Sequence, residues 1–279
     1  MEWLDFILTP LRYPFMVRGL IAAVMTGIVC ATVGTYVVLR GMAFFGSALA
    51  HSILPGVAVG YLITGGAQGP LFWYGTGTAV AASLGIGAVS RGTKVKEDTA
   101  ISIIFAGMFA LGIAIISTVQ SYTVDLTHFL FGDVLGVSSG QLWLIGLFGS
   151  GIVLTILAFY KEFLVLTFDP VLAVTLRVPG TFFEYLQLIL IALTVAVSMQ
   201  TVGVALMVAM LVTPAASAYL LTNRLPVMMA LAAALASLAG VVGLYLSYYV
   251  NVASGPAIVL TATLFFILSW LIQTVKERN

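Results

Sequence analysis

Residues 43–64 read Ala-Phe-Phe-Gly-Ser-Ala-Leu-Ala-His-Ser-Ile-Leu-Pro-Gly-Val-Ala-Val-Gly-Tyr-Leu-Ile-Thr, without one aspartate, glutamate, lysine or arginine. An α-helix needs about 20 mostly apolar residues to cross the hydrocarbon core of a bilayer. Comparable stretches lie near residues 15–39, 70–90, 99–118, 140–160, 182–200, 202–222, 226–249 and 256–274. The expectation is an all-α, polytopic membrane helix bundle of about nine spans. Thr201 barely separates the sixth from the seventh, so eight is the other count the sequence allows. Composition agrees, with 61% of the 279 residues hydrophobic and 8% charged, where a soluble domain carries about 25% charged residues. No fixed-period repeat and no low-complexity stretch interrupts the chain, and a single domain over residues 1–279 is the simplest organisation.

Eleven basic and ten acidic side chains leave a net charge of +1, with no basic patch that would suit nucleic acid. The one cysteine, Cys30, lies in an apolar run, which excludes an internal disulfide and a thiolate metal cluster. Residues 1–14 hold Glu2, Asp5 and Arg12 and lack the basic region of a secretory signal, so the first apolar segment is expected to be retained. With nine spans and an outside N-terminus, Arg40, Arg91, Lys94, Lys96, Lys161, Arg177, Arg224, Lys276 and Arg278 all fall on the cytoplasmic side. Only Arg12 and Arg18 do not. Small residues such as Gly27, Ala31 and Gly34, and Gly85 with Ala81, are placed to let helix backbones approach closely in lipid.

Within residues 43–64, His51 lies near the middle of the span, where an ionisable group is costly. Ser47, His51 and Pro55 are four apart and share one helix face. Pro55 has no N–H, so the His51 carbonyl loses its ordinary helical partner. The face thereby presents an imidazole, a hydroxyl and a freed carbonyl, a donor set suited to a divalent first-row ion. A histidine bonded to a neighbouring helix beside a tolerated proline kink fits the same residues, and both readings stand open at this point.

Residues 122–139, apolar but interrupted by Asp125, His128, Gly132, Asp133 and Gly136, read as an outer segment that is re-entrant or lies along the interface. Asp125 and His128 can meet on one helical turn, either where metal enters or as solvated groups that cap and position the segment. On the cytoplasmic side, Asp169 followed by Pro170 is a helix start and Pro179 a stop. The resulting short helix, Pro170 to Arg177, has Leu172, Leu176 and Val178 to bury, against the chain's own spans or a soluble subunit. Pro214, inside the seventh span, frees the Met210 carbonyl, while Thr213 and Ser217 can satisfy local backbone groups in a kinked helix. No Gly-x-x-x-x-Gly-Lys-Ser/Thr loop is present to bind ATP in that manner.

Four segments in this order, 46–56, Lys96-Glu-Asp-Thr-Ala100, Asp125-Leu-Thr-His-Phe-Leu-Phe-Gly-Asp133 and 203–216, resemble the membrane permeases of bacterial ABC importers for manganese and zinc, the ABC-3 metal permease family. The resemblance runs from about Met25 to Leu271. It implies a transport subunit rather than an enzyme, multi-pass in the bacterial cell (inner) membrane, working as a homodimer with a second copy of itself around a pathway on the two-fold axis. The implied partners are a cytoplasmic ATP-binding subunit and an extracellular or periplasmic metal-binding protein. The cargo would be manganese(II) or zinc(II), with no stably bound cofactor.

The resemblance places the intramembrane metal position at His51; Ser47 on the same face, and Asp125, His128 and Asp133 on the outer approach, complete the candidate metal pathway read from the residues. It places contact with the ATPase on a coupling helix comprising Asp169, Pro170, Leu172, Leu176 and Arg177, and an alternating-access mechanism would set gates at the kinks of Pro55, Gly56 and Pro214. Many relatives carry aspartate where this chain has Ser47, so the site lacks a charge that favours a hard divalent cation. The segment around Asp125 is similar to the manganese-type members, which favours manganese over zinc. The alternative class is a gradient-driven secondary metal transporter or channel, against which the acids stand mostly at loops and ends. An intramembrane hydrolase lacks both a second histidine at ligand spacing and a nucleophile triad.

Overall fold

The computed structural model describes residues 8–65, 68–118 and 134–278, and no strand occurs among them. The helices are α1 (Pro14–Leu39), α2 (Ala43–Ser52), α3 (Leu54–Thr64), α4 (Gln68–Gly92), α5 (Glu97–Ser117), α6 (Ser139–Ala158), α7 (Tyr160–Phe168), α8 (Pro170–Thr175), α9 (Gly180–Val202), α10 (Val204–Leu221), α11 (Leu225–Val250) and α12 (Ser254–Arg278). A single 3₁₀ turn, Val134–Gly136, precedes α6. Among the described residues, eight stretches are long and apolar enough to cross a membrane by length and composition: α1, α2 with α3, α5, α6, α9, α10, α11 and α12. The remaining expected span, 70–90, is the 25-residue α4. Its Gly-Thr-Gly-Thr run at 75–78 makes it less apolar than the others, and it is not among the eight.

Helices suit this chain because each satisfies its own backbone without water, and the hydroxyls follow the same rule. Thr32, Thr35, Ser52, Thr64, Thr261 and Ser269 each donate to the carbonyl four residues back. Positive φ angles mark several breaks: Gly65 (63°) after α3 and Asn251 (58°) after α11 close those helices in the left-handed conformation. The soft boundary expected at Thr201 is a sharp one two residues later, where Gly203 alone (φ 80°) separates α9 from α10.

The chain divides into two compact units. The first comprises Met1–Val38, Leu126–Gly151 and Ser198–Asn279. In it α10, α11 and α12 pack on one another. Gly27 of α1 meets Ala236 of α11, Gly240 of α11 meets Ala23, and Gly34 is pressed onto the carbonyl of Leu211 in α10. Two of the small residues picked out in the first span, Gly27 and Gly34, are therefore backbone contacts, whereas Gly85 has only an ordinary contact with Ile104. The second unit comprises Leu39–Asp125 and Ile152–Val197. There α2, α3, α4 and α5 form one packed group, and Phe183 of α9 stacks edge-on against Phe159 and Phe163 beside α7.

Candidate functional site

The second unit seats the expected metal position. α2 ends at Ser52, Ile53 keeps helical dihedrals, and α3 opens with Pro55 in its first turn. The break is held on both sides by glycines. A Cβ at Gly56 would collide with Thr78 Oγ1 and the Tyr74 carbonyl of α4, and one at Gly112 of α5 would press into Leu54. Phe45, Leu49 and Ile53 are fully buried, so α2 has one register in which it fits. What it leaves half-buried is Ser47 and His51, with Phe44 exposed beside them.

His51 Nδ1 lies 2.8 Å from the Ser47 carbonyl oxygen. A carbonyl only accepts, so Nδ1 carries the proton and the lone pair of the neutral ring is on Nε2. Metal-binding histidines are held in this way, with the second nitrogen donating to a carbonyl or carboxylate. Phe105 and Phe109 of α5 meet the imidazole edge-on, at 5.8 and 5.9 Å between ring centres, and are stacked on each other. Phe44 packs edge-on against Phe105. The side of the imidazole toward α5 is therefore apolar, and Nε2 is left for a polar partner. The carbonyl expected to be freed by Pro55 is not left open: the Ile53 N–H turns onto the His51 oxygen. The oxygen keeps its second lone pair, so the His51 carbonyl stays in the expected donor set.

Among the described residues no group of three His, Cys, Asp or Glu side chains could hold a metal ion. Asp125, His128 and Asp133, and the outer segment they belong to as far as residue 133, lie outside the described residues. At the end of that segment, the Val134 carbonyl and Leu135 lie against Gly19 of α1 in the first unit. Pro214 also belongs to the first unit, inside an α10 that continues through it from Val204 to Leu221. Ser217 Oγ there donates to the Thr213 carbonyl at 2.8 Å.

The expected coupling helix forms and is capped as anticipated, with the Leu172 N–H donating to Asp169 Oδ1 at 2.9 Å. It is shorter than 170–177: Thr175 is its last residue, Leu176 caps it, and Arg177 has φ 56°. The reason is that Arg177 turns the chain in the left-handed region toward Pro179. Val171 and Val174 are each 77% exposed, and Leu172 and Leu176 are exposed too. Ala173 alone is buried among residues 171–175 of the helix.

One cluster escaped the sequence reading, which treated Arg91 only as a marker of orientation. Arg91 Nε donates to Glu184 Oε2 at 2.7 Å, a second guanidinium nitrogen reaches the same oxygen, and the third donates to Thr181 Oγ1 at 2.6 Å. Glu97 lies in the field of Arg40 and Glu184. The available signal was opposite charge at the ends of apolar stretches. With Arg91 and Glu184 ninety-three residues apart, no local spacing announced the pairing.

Residues 12–273 match the family described as the ABC 3 transport family. The chain is 44% identical over 262 residues to the manganese transport system membrane protein MntC of Listeria monocytogenes, covering 94% of this chain and 91% of that one. It is 34% identical over 284 residues to the chelated iron transport system membrane protein YfeD of Yersinia pestis, covering 97% and 90%. Among solved structures, PsaBC from Streptococcus pneumoniae in complex with Fab superposes with a TM-score of 0.83 at 38% identity, covering 99% of both chains. With its apolar helices and a family match over nearly its whole length, the chain belongs to the ABC 3 transport family and is a multi-pass transport subunit of the bacterial cell membrane, not an enzyme.

Proposed function

We propose that this permease imports a divalent transition-metal ion, manganese(II) in preference to zinc(II), driven by ATP that a separate cytoplasmic subunit hydrolyses. It works as a homodimer, receives the ion from an extracellular metal-binding protein, and passes it along a pathway lined by His51 and Ser47. The observation that carries this reading is the preset imidazole of the half-buried His51, whose Nδ1 is tied to the Ser47 carbonyl so that Nε2 is left to ligate. One imidazole is not a binding site, and a second copy across a two-fold axis supplies another. Few ligands and a neutral hydroxyl at Ser47 favour passage over retention, since a site that binds too tightly cannot release. Asp125, His128 and Asp133 serve the outer approach, and Pro55, Gly56 and Pro214 the gates.

The charge bias of the loops puts α8 on the cytoplasmic side, where its exposed Val171, Leu172, Val174 and Leu176 meet the ATPase, with Asp169, Pro170 and Arg177 shaping the helix ends. Both α6 and α9 contribute to each unit, which supports reading the whole chain as one permease domain. The test is uptake of manganese, zinc and iron(II) into liposomes holding the chain, a candidate ATPase and the binding protein. Manganese accumulates with ATP, and His51→Ala abolishes uptake while the complex stays assembled. Accumulation that ignores ATP and follows an ion gradient would replace this reading by a secondary transporter; preferred uptake of iron would change the ion.

A further inference from the structure

Charges from four segments converge in the second unit: Arg40 after α1, Arg91 in the last turn of α4, Glu97 with its neighbour Asp98 opening α5 and Glu184 in the first turns of α9. Arg91 is the one that binds two groups at once, since its fork holds the Glu184 carboxylate on one side and the Thr181 hydroxyl on the other. Its guanidinium also lies 5.7 Å from the centre of the Tyr185 ring. An exposed ion pair contributes about 0–1 kcal/mol to stability. The fork therefore does little as a source of stability, and what it supplies is fixed geometry between α4 and α9.

Both ends of that geometry lead somewhere. α9 begins at Gly180, directly after Pro179, so its first turns are the first fixed point of the chain beyond α8. One turn inward from Arg91, Gly87 of α4 lies against Tyr185 and Leu188 of α9, which keeps the two helices in step. In the other direction α4 runs to Thr78 and Tyr74, which press on Gly56 immediately after Pro55, at the break that seats His51. We infer that the Arg91–Glu184–Thr181 clamp is the joint that passes movement of α8 into α4 and so to the α2–α3 break behind His51. Arg91 is thus a positioning residue for transport. This rests on the reading of α8 as the ATPase contact. Packed helices with a discrete joint are a physical route for coupling, and the claim needs a coupling measurement.

That measurement is the number of manganese ions accumulated per ATP hydrolysed, in liposomes holding the permease, its ATPase and the metal-binding protein, with manganese(II) alone as the probe. Arg91→Gln keeps hydrolysis that responds to the loaded binding protein but lowers the ratio about five-fold or more. Arg91→Lys falls between, because an ammonium keeps the charge without spanning Glu184 and Thr181. The reversed pair, Arg91→Glu with Glu184→Arg, recovers part of the ratio. Hydrolysis and uptake falling together at an unchanged ratio would reduce the clamp to a structural contact and overturn the proposal. If Arg91→Gln fails to assemble, a wild-type ratio in Arg91→Lys overturns it equally. A wild-type complex without ATP-dependent uptake would refute the transport reading itself, and the clamp with it.

Discussion

A neutral imidazole inside an apolar helix is tolerated where each nitrogen has something to do. For His51, Nδ1 is occupied by the Ser47 carbonyl, and the ring packs edge-on against the stacked pair Phe105 and Phe109. Ser47 holds His51 with its backbone, which any residue at position 47 would do, so its side chain is free to vary and to tune the ion. Restoring the carboxylate that many relatives carry leaves the imidazole in place and adds a charge one turn away. Ser47→Asp is expected to shift the zinc concentration that halves manganese uptake by about ten-fold, equivalent to about 1.4 kcal/mol. The check is a competition series on the reconstituted complex, and an unchanged profile would place the position 47 side chain off the pathway. The candidate histidine was legible from its spacing to Ser47 and Pro55. Its tautomer was not, because it depends on the ring rotamer that turns Nδ1 onto the Ser47 carbonyl, and its aromatic contacts were not, because they come from α5, some fifty residues away along the chain.

The break between α2 and α3 was legible as Pro55, but its rigidity comes from glycines that only packing reveals. Gly56 touches α4 so closely that any side chain meets backbone, whereas Gly77 on α4 has nothing within 4 Å of where a Cβ would lie. Gly56→Ala should therefore destabilise the protein by about 1–3 kcal/mol, while Gly77→Ala is neutral or slightly stabilising through helix propensity. Thermal unfolding of the two variants in detergent checks this, and equal melting temperatures would contradict the packing. For α8 the sequence carried both the cap and the need for a partner. The identity of that partner was not legible, because an exposed apolar face has no local signature of what covers it. Val174→Asp costs the isolated chain within about 0.5 kcal/mol, as a surface change, but puts a charge into the proposed contact. Co-purification of the ATPase should fall while the melting temperature holds. Retention equal to wild type would move the contact elsewhere.

For the molecule as a whole, the question is which faces meet lipid and which would meet the second copy of the proposed homodimer. Of the most apolar window of α5, 17% is buried, against 72% for α1. Lipid can cover the outer face of α5, but not the side where Phe105 and Phe109 flank a half-buried imidazole with an open nitrogen, since an unsatisfied polar group in hydrocarbon costs several kcal/mol. In the proposed homodimer, a second copy presenting the same face would resolve this, as an isologous contact requires. The chain offers a clean probe, because its one native thiol, Cys30, is buried 3.2 Å from the Ser198 hydroxyl. Ser47→Cys then adds the one accessible thiol, a turn from His51. If this face lines the two-fold axis, a short thiol cross-linker converts the protein to a covalent dimer on denaturing gels. Trp143→Cys, at a residue 80% exposed on α6, serves as the lipid-facing control and stays monomeric. A Ser47→Cys protein that transports manganese yet yields no covalent dimer would remove the two-fold axis from His51 and return the pathway to a single copy.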